Sequence, residues 1–598
     1  MKFKFKKYIL ALGVATTLLP GCNNDFMERY PLDQITDESF WKSETDLKMM
    51  LNSLYPLYII GHQSGWSNTN NYPLGYKGSP LMYGDIYSDN CVRTGNEFNS
   101  LAGELVVPTG ASESTGWYWW NLRKVNFFLT HYDKAELSQE KKNAYAGEAY
   151  FFKAWEYYKK VLYFGDVPWL TRDLNVDSEE LYDSRTPRAE VMDSVLMCIN
   201  KAVNWLPEKA NQEADRLNKD QANFLKARIC LFEGTFRKYH KELGLESTAN
   251  KWLEEAVKAS EALLGKYSLY KAEEETYWKM FAAINLSDNP EVILARNYLE
   301  NKVGHAAQRY YNQNNSSYQA MGATRGLVDE YLCIDGRPIY TGGNEGNYEK
   351  NPNFLGYGKW TELENRDPRL TQTICRPGEH VTIYQGGVVD LEKNGITYPN
   401  LTYNASGAAM TGYRVIKHWM GDFEEETRTT QGIQAAIEFR YAELLLMYAE
   451  AKYELDGNVD YSKSINLLRQ RAGMPDFSVP KNLSSAEKVD YGYPVSDELY
   501  EIRRERRVEL ACEGFRTDDY RRWAAHKLFK GKRPKGYPFK AEEWSQPIVT
   551  PVDSEGFMDP FQKSMPNGYQ FDEKRDYLNC IPTNEITLNP ELKQNPGW

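Results

Sequence analysis

The chain has 598 residues, 41% apolar and 26% charged, with a net charge of −11 and a mean hydropathy of −0.65. That balance excludes a polytopic membrane protein, and the acidic sign argues against a nucleic-acid backbone as the main partner. Six hundred residues exceed one ordinary compact core, so the chain is either several domains or one large helical or repeat body. Aromatic residues reach 14%, and Tyr (43) outnumbers Phe (24). A core needs only apolar bulk, so the Tyr excess points to amphipathic contacts at surfaces. Seven His leave little for metal or imidazole chemistry.

The N-terminus opens with Lys2, Lys4, Lys6 and Lys7, followed by an apolar run from Tyr8 to Leu19. A bilayer-spanning helix needs about 20 apolar residues, so this shorter run reads as a signal peptide over 1–21. Leu19-Pro20-Gly21-Cys22 resembles a bacterial lipobox, which makes Cys22 the lipidation site. Each buried acyl methylene adds about 0.8 kcal/mol, so a multiply acylated Cys holds a soluble body on a membrane. Without residues 1–21 the net charge becomes −15. The other seven Cys are scattered and contain no CxxC pair, which fits buried small hydrophobes better than a disulfide scaffold or zinc ribbon.

Helical patterning is expected over about 34–58, 118–265 and 435–530. In 140–163, Gly147, Phe151, Ala154, Tyr158 and Val161 share one helix face, alternating small and large, and Gly165 and Pro168 stop the helix. Helices are also expected over 187–205, 219–240 and 250–264. Segment 438–456 puts Leu444, Tyr448, Ala451 and Leu455 on one face, with Gly457 as its C-cap. A helix over 461–472 ends at Gly473, and another runs from Asp497 to Cys512. Trp117-Tyr118-Trp119-Trp120 begins a helix and reads as helix packing. Stretches of about 60–117 and 295–435 are loop-rich, and 530–598 must drape over the helical body. The fold class is mainly α: tetratricopeptide-like helical hairpins in a superhelix, with long loop-rich insertions.

Catalytic motifs are absent: there is no GxSxG, HExxH, P-loop or GxGxxG. No cofactor or metal is expected. A carboxylate pair about 5–10 Å apart, as a glycosidase needs, has no sequence signature. The run Glu501 to Glu509 reads as a salt-bridged helix, with Glu501–Arg504 and Arg506–Glu509 three residues apart. Asp85 and Asp89 read as a turn cluster, with calcium ligation as the alternative.

An ordered set of blocks resembles the SusD/RagB family, the starch-utilisation lipoproteins of Bacteroidetes outer membranes. The set comprises Asp37-Glu38-Ser39-Phe40-Trp41, the Gly84–Asn90 run, Gly147 to Ala154 with Phe164-Gly165-Asp166-Val167-Pro168, and Asn365 to Leu370. It continues with Arg440 to Leu445, Arg503 to Leu510 with Glu513-Gly514-Phe515-Arg516, and Asp518 to Trp523. It ends with Ile581-Pro582-Thr583-Asn584-Glu585, Leu588-Asn589-Pro590 and Gln594 to Trp598. The resemblance implies one domain over 22–598, with a tetratricopeptide-like scaffold and a loop-rich ligand half over about 60–117 and 295–435. It implies a lipid-anchored outer-membrane protein, facing the cell surface and without enzymatic activity. Such a protein captures oligo- or polysaccharide and delivers it to a SusC-like TonB-dependent transporter. Peptide capture, as in RagB-like relatives, a surface glycan-degrading enzyme and a purely structural lid are the alternatives.

A pyranose has an apolar C–H face and a hydroxyl rim, which aromatic plates and Asn or Arg side chains match. Two loop clusters have that composition: Trp66, Asn68 and Tyr72 in the first, and Tyr310, Tyr311 and Tyr318 in the second. The resemblance adds Arg93, Asn96 and Phe98, which follow the Gly84–Asn90 run where relatives place ligand contacts.

Overall fold

The structure, a computed structural model, describes residues 40–62, 81, 84–92, 101–272, 276–305, 307, 321–341, 349–376, 383–384, 387–388, 409–420, 431–480, 490–543, 548 and 550–598. The expected signal peptide and Cys22 lie outside the described residues.

Helix α1 (Glu44–Asn52) opens with a capping box. Ser43 Oγ accepts from the Asp46 N–H, and Asp46 accepts from the Ser43 N–H at 2.7 Å. The two-residue strand β1 is Cys91–Val92. Then come α2 (Trp120–His131), α3 (Gln139–Phe164), α4 (Arg188–Trp205), α5 (Lys219–Tyr239) and α6 (Ala249–Glu261). Ser138 caps α3 and Asn218 caps α5, so orphan backbone donors at these ends find side-chain oxygens. Helix α3 packs on α4, and α5 on α6. The face expected on α3 is buried from Gly147 to Val161. At Gly147 the helices approach closely: a Cβ there would lie 3.1 Å from Leu206 Cγ and would press on Leu206. Trp117 is buried, with its ring edge-on to Trp119 and Phe164, as expected of helix packing. Trp120 departs from that expectation: it is 51% exposed, with the Arg123 guanidinium over its ring.

The second half interleaves strands. β2 is Val292–Arg296 and β3 is Gly322–Ala323, followed by α7 (Arg325–Glu330). β4 (Ala436–Arg440) pairs antiparallel with β2 and runs directly into α8 (Tyr441–Asp456). The helix expected from 438 therefore starts three residues later, because 436–440 is held extended by β2. Gly457 and Gly473 cap α8 and α9 (Ile465–Ala472) in the left-handed conformation, as expected. Helix α10 (Asp497–Glu509), capped by Ser496, and α11 (Arg516–Arg522) complete this half. One apolar core runs from Trp41 through α2–α6 and α8 to Leu592. All seven Cys expected to be buried are buried.

Helix α10 is buried from Leu499 to Glu509, although it is rich in charge. Glu501, Glu505 and Glu509, four apart, line one face. Glu505 accepts from Arg369 at 2.7 Å and Arg469 at 2.8 Å. Glu509 accepts from Arg369 at 2.9 Å, Arg440 at 2.7 Å and Arg471 at 2.5 Å. Glu513 takes Arg440 and Lys417. Burial alone would raise the Glu509 carboxyl, but the arginines hold it well below the usual carboxylate range. The expected Glu501–Arg504 pair is present at 3.1 Å. The expected Arg506–Glu509 pair is not: Arg506 turns to Asp519 at 2.9 Å, because Glu509 is already filled by arginines from other elements. Calcium ligation by Asp89 is overturned too. Its carboxylate accepts from Arg516 at 2.7 Å and Arg507 at 3.2 Å, which neutralise it directly.

Residues 579–598 strap back across the first hairpin. The Asn579 N–H donates to Tyr163 O at 2.6 Å, Asn595 Nδ2 to Phe164 O at 3.1 Å, and Arg185 to Asn595 Oδ1 at 2.7 Å. This bears out the draping expected of the third loop-rich stretch. Among the described residues, no helix is long and apolar enough to cross a membrane.

Candidate functional site

Trp66, Asn68, Tyr72, Arg93, Asn96, Phe98, Tyr310, Tyr311 and Tyr318 all lie outside the described residues. The residues flanking them are described, and these come together. β1 leads into the stretch with Arg93, and β3 leaves the stretch with Tyr318. The two strands pair antiparallel, Cys91 with Ala323 and Val92 with Gly322. Beside them, Thr324 N–H donates to Asn90 O at 2.8 Å and Thr324 Oγ1 to Asp89 O at 2.7 Å. Ala323 N–H reaches Tyr413 O at 2.7 Å, and Gly322 bridges Arg414. A Cβ on Gly322 would run into Thr411 Oγ1, so a larger residue here would have to displace the Thr411 side chain.

The other flank of the Tyr318 stretch meets a flank of a third stretch through histidine. His62 precedes the stretch with Trp66, and His305 precedes the one with Tyr310. Their ring centroids lie 4.8 Å apart, and His418 lies 6.3 Å from His62. Tyr298 locks the arrangement: its hydroxyl accepts from the His62 N–H at 2.6 Å and donates to His62 O at 2.7 Å. The Ala307 N–H donates to His305 Nδ1 at 3.0 Å, so Nε2 carries the proton and donates to Gln434 O at 2.8 Å. His418 Nε2 donates to Cys512 O at 2.9 Å. Burial pushes His305 down to about 4; burial and the nearby Lys417 charge do the same to His418. Burial and its two neighbours hold His62 well below the ordinary imidazole value. At neutral pH the cluster is uncharged.

Three of the chain's seven His thus form a floor under the loop ends. Nothing in the sequence marks them, since residues 62, 305 and 418 meet only through the fold. Among the described residues, one group has the donors and spacing to hold a metal ion: Asp85, Cys91 and Cys512. At the loop ends His305 and His418 are neutral and hydrogen-bonded, the buried His62 ring is stacked on Tyr298 with both ring nitrogens unsatisfied, and Arg507 pairs with Asp89 and Glu330. Such a site is built to hold shape.

A SusD family model matches residues 290–598, more than half of the chain. A second model, described as starch-binding associating with outer membrane, matches residues 25–231. SusD-like protein P2 of Formosa agariphila is 24% identical over 99% of this chain and 100% of its own length. A SusD-like carbohydrate-binding protein from Bacteroides fragilis superposes with a TM-score of 0.69 at 22% identity, covering 93% of this chain and 100% of that one. A laminarin-binding SusD-like protein superposes at 0.54, with 16% identity over 93% of this chain and 100% of that one. Three of the blocks, Asn365 to Leu370, Arg440 to Leu445 and Arg503 to Leu510, supply part of the buried charge network around α10, and with the family match they settle the lineage: this chain belongs to the SusD/RagB family.

Proposed function

We propose that the protein is a non-catalytic binding lipoprotein of the outer membrane. In this reading it captures oligo- or polysaccharide on its loops and delivers it to a SusC-like TonB-dependent transporter. The observation that carries the proposal is the convergence of the flanks of three aromatic- and Asn-bearing stretches on segment 305–324. Val92 pairs with Gly322 and His62 packs on His305, so the described flanks of the Trp66 and Arg93 stretches each meet a flank of the Tyr310 stretch. The carbohydrate-binding and laminarin-binding titles of the solved relatives support a glycan as ligand. The outer-membrane description of the second family model and the Lys-rich, Cys22-terminated leader support anchoring.

Aromatic plates would cover pyranose C–H faces while Asn68, Asn96 and Arg93 bond the hydroxyl rim. Rigid two-torsion side chains on a preformed floor lose little entropy on binding. Calorimetry with laminarin and a glycan array tests this. Trp66→Ala, Tyr310→Ala and Tyr311→Ala should each weaken binding about tenfold or more, roughly 1.4 kcal/mol. Unchanged affinity in all three removes these residues from the site. Release of reducing ends on incubation would replace a binding protein with an enzyme.

A further inference from the structure

Cys91 and Cys512 are 421 positions apart, yet their Sγ atoms lie 3.5 Å apart, both fully buried. Each comes from a constrained backbone. Cys91 sits in β1, fixed by pairing with Ala323. Cys512 follows α10 in the left-handed conformation at φ 63°, which is strained for a residue with a side chain. Two contacts hold that turn: the Cys512 N–H donates to Asp85 Oδ2 at 2.7 Å, and Cys512 O accepts from His418. The left-handed turn is what aims the Cys512 side chain at β1.

We propose that Cys91 and Cys512 are the site of a disulfide that staples the root of the 93–100 stretch to the end of α10. The proposal rests on the exported location of the proposed function, where disulfides persist. The oxidant is a disulfide-bearing exchange catalyst or, in the test tube, oxidised glutathione. One thiolate attacks the oxidant's disulfide, forming a mixed disulfide and expelling one thiol. The second Cys thiolate then attacks the Cys sulfur of that mixed disulfide, expelling the second thiol. Two protein thiols are oxidised, one external disulfide is reduced to two thiols, and the two cysteine protons leave on them. Exchange must precede closure of the core, since both sulfurs are inaccessible afterwards.

A metal ion on the same sulfurs and Asp85 is the competing occupant. It would need both thiols deprotonated inside a dry site, whereas a disulfide is neutral and apolar. Burial and the Cys512 contact hold the Cys91 thiol protonated, its titration far above the ordinary thiol value, which favours the uncharged product.

The test is non-reducing peptide mapping of the full chain, alkylated under denaturing conditions. One sample comes from cell envelopes, and another is refolded with oxidised glutathione. We expect a Cys91–Cys512 linked peptide in both, with Cys198, Cys230, Cys333, Cys375 and Cys580 alkylated. Reductant should lower the melting temperature of the wild type but not of Cys91→Ser or Cys512→Ser; if these fail to fold, the wild-type map alone decides. Both cysteines alkylated after glutathione refolding overturns the proposal, as does about one zinc per chain by plasma mass spectrometry with both thiols retained. A link that forms with glutathione but is missing from cell envelopes overturns the exported location and leaves the site standing.

Discussion

The hairpins α3–α6 bury mostly hydrocarbon, with isolated ion pairs such as Lys160–Glu156 and Arg188–Glu233, whereas the seam around α10 is crowded with interlocked charge. In the hairpins, burial itself stabilises, at roughly 1.5–3 kcal/mol per fully buried Leu, Val or Phe. Partners there are interchangeable in kind, and losing one leaves a cavity. In the seam, each carboxylate and guanidinium costs several kcal/mol to desolvate, and only complete pairing offsets that cost. Asp367, Arg369, Arg440, Arg471, Glu505 and Glu509 come from four separate stretches of chain and work only together. The hairpins therefore tolerate drift, while the seam admits one arrangement.

The sharpest way to break this contrast is Glu509→Gln. It leaves Arg369, Arg440 and Arg471 facing a neutral amide in a dry site, and should cost about 3–5 kcal/mol by urea unfolding. A cost below about 1 kcal/mol would mean that water reaches the seam. A pH series separates the seam from the histidine floor. His305 and His418 titrate at about 4 when folded and near 6.5 when unfolded. The unfolded chain binds more protons between those values. Stability from these groups is therefore complete above about 6.5 and is lost as pH falls toward 4. From pH 7 to 5 each should cost about 2 kcal/mol. Glu509 and Asp89 keep their charge through that window. Acid should therefore loosen the loop roots before the seam, and the wild type should lose more stability on acidification than His418→Gln. The smallest effect belongs to the hairpins: Ile229→Val, in the middle of α5, should cost about 1 kcal/mol. If it matched Glu509→Gln, the two regions would not differ in kind.

The same contrast decides how much could be read beforehand. Hairpin helices follow from periods within one segment, so α3, α4, α5 and α6 match their expected spans to within about three residues. The α10 helix was equally legible, but its partners were not. Local spacing pairs Arg506 with Glu509, while the fold brings Arg440 and Arg471 to Glu509 and leaves Arg506 to Asp519. Local period carries the α8 helix back to 438, over the last three residues of β4, because the partner β2 lies 140 or more positions upstream. His62, His305 and His418, and the thiols of Cys91 and Cys512, have no local signature. The sequence blocks name the lineage well and the ligand poorly, because they encode the scaffold (hairpins, seam and strap), whereas the candidate plates stand in loops without a period.

The strap 579–598 has a consequence for the order of events in the cell. Its hydrogen bonds to Tyr163, Phe164 and Arg185 close an interface whose other side is made some four hundred residues earlier. The first hairpin cannot be finished until the last twenty residues of the chain are available; α3 and α4 must wait with that edge open. Long-range closure of this kind slows folding and leaves surfaces exposed meanwhile.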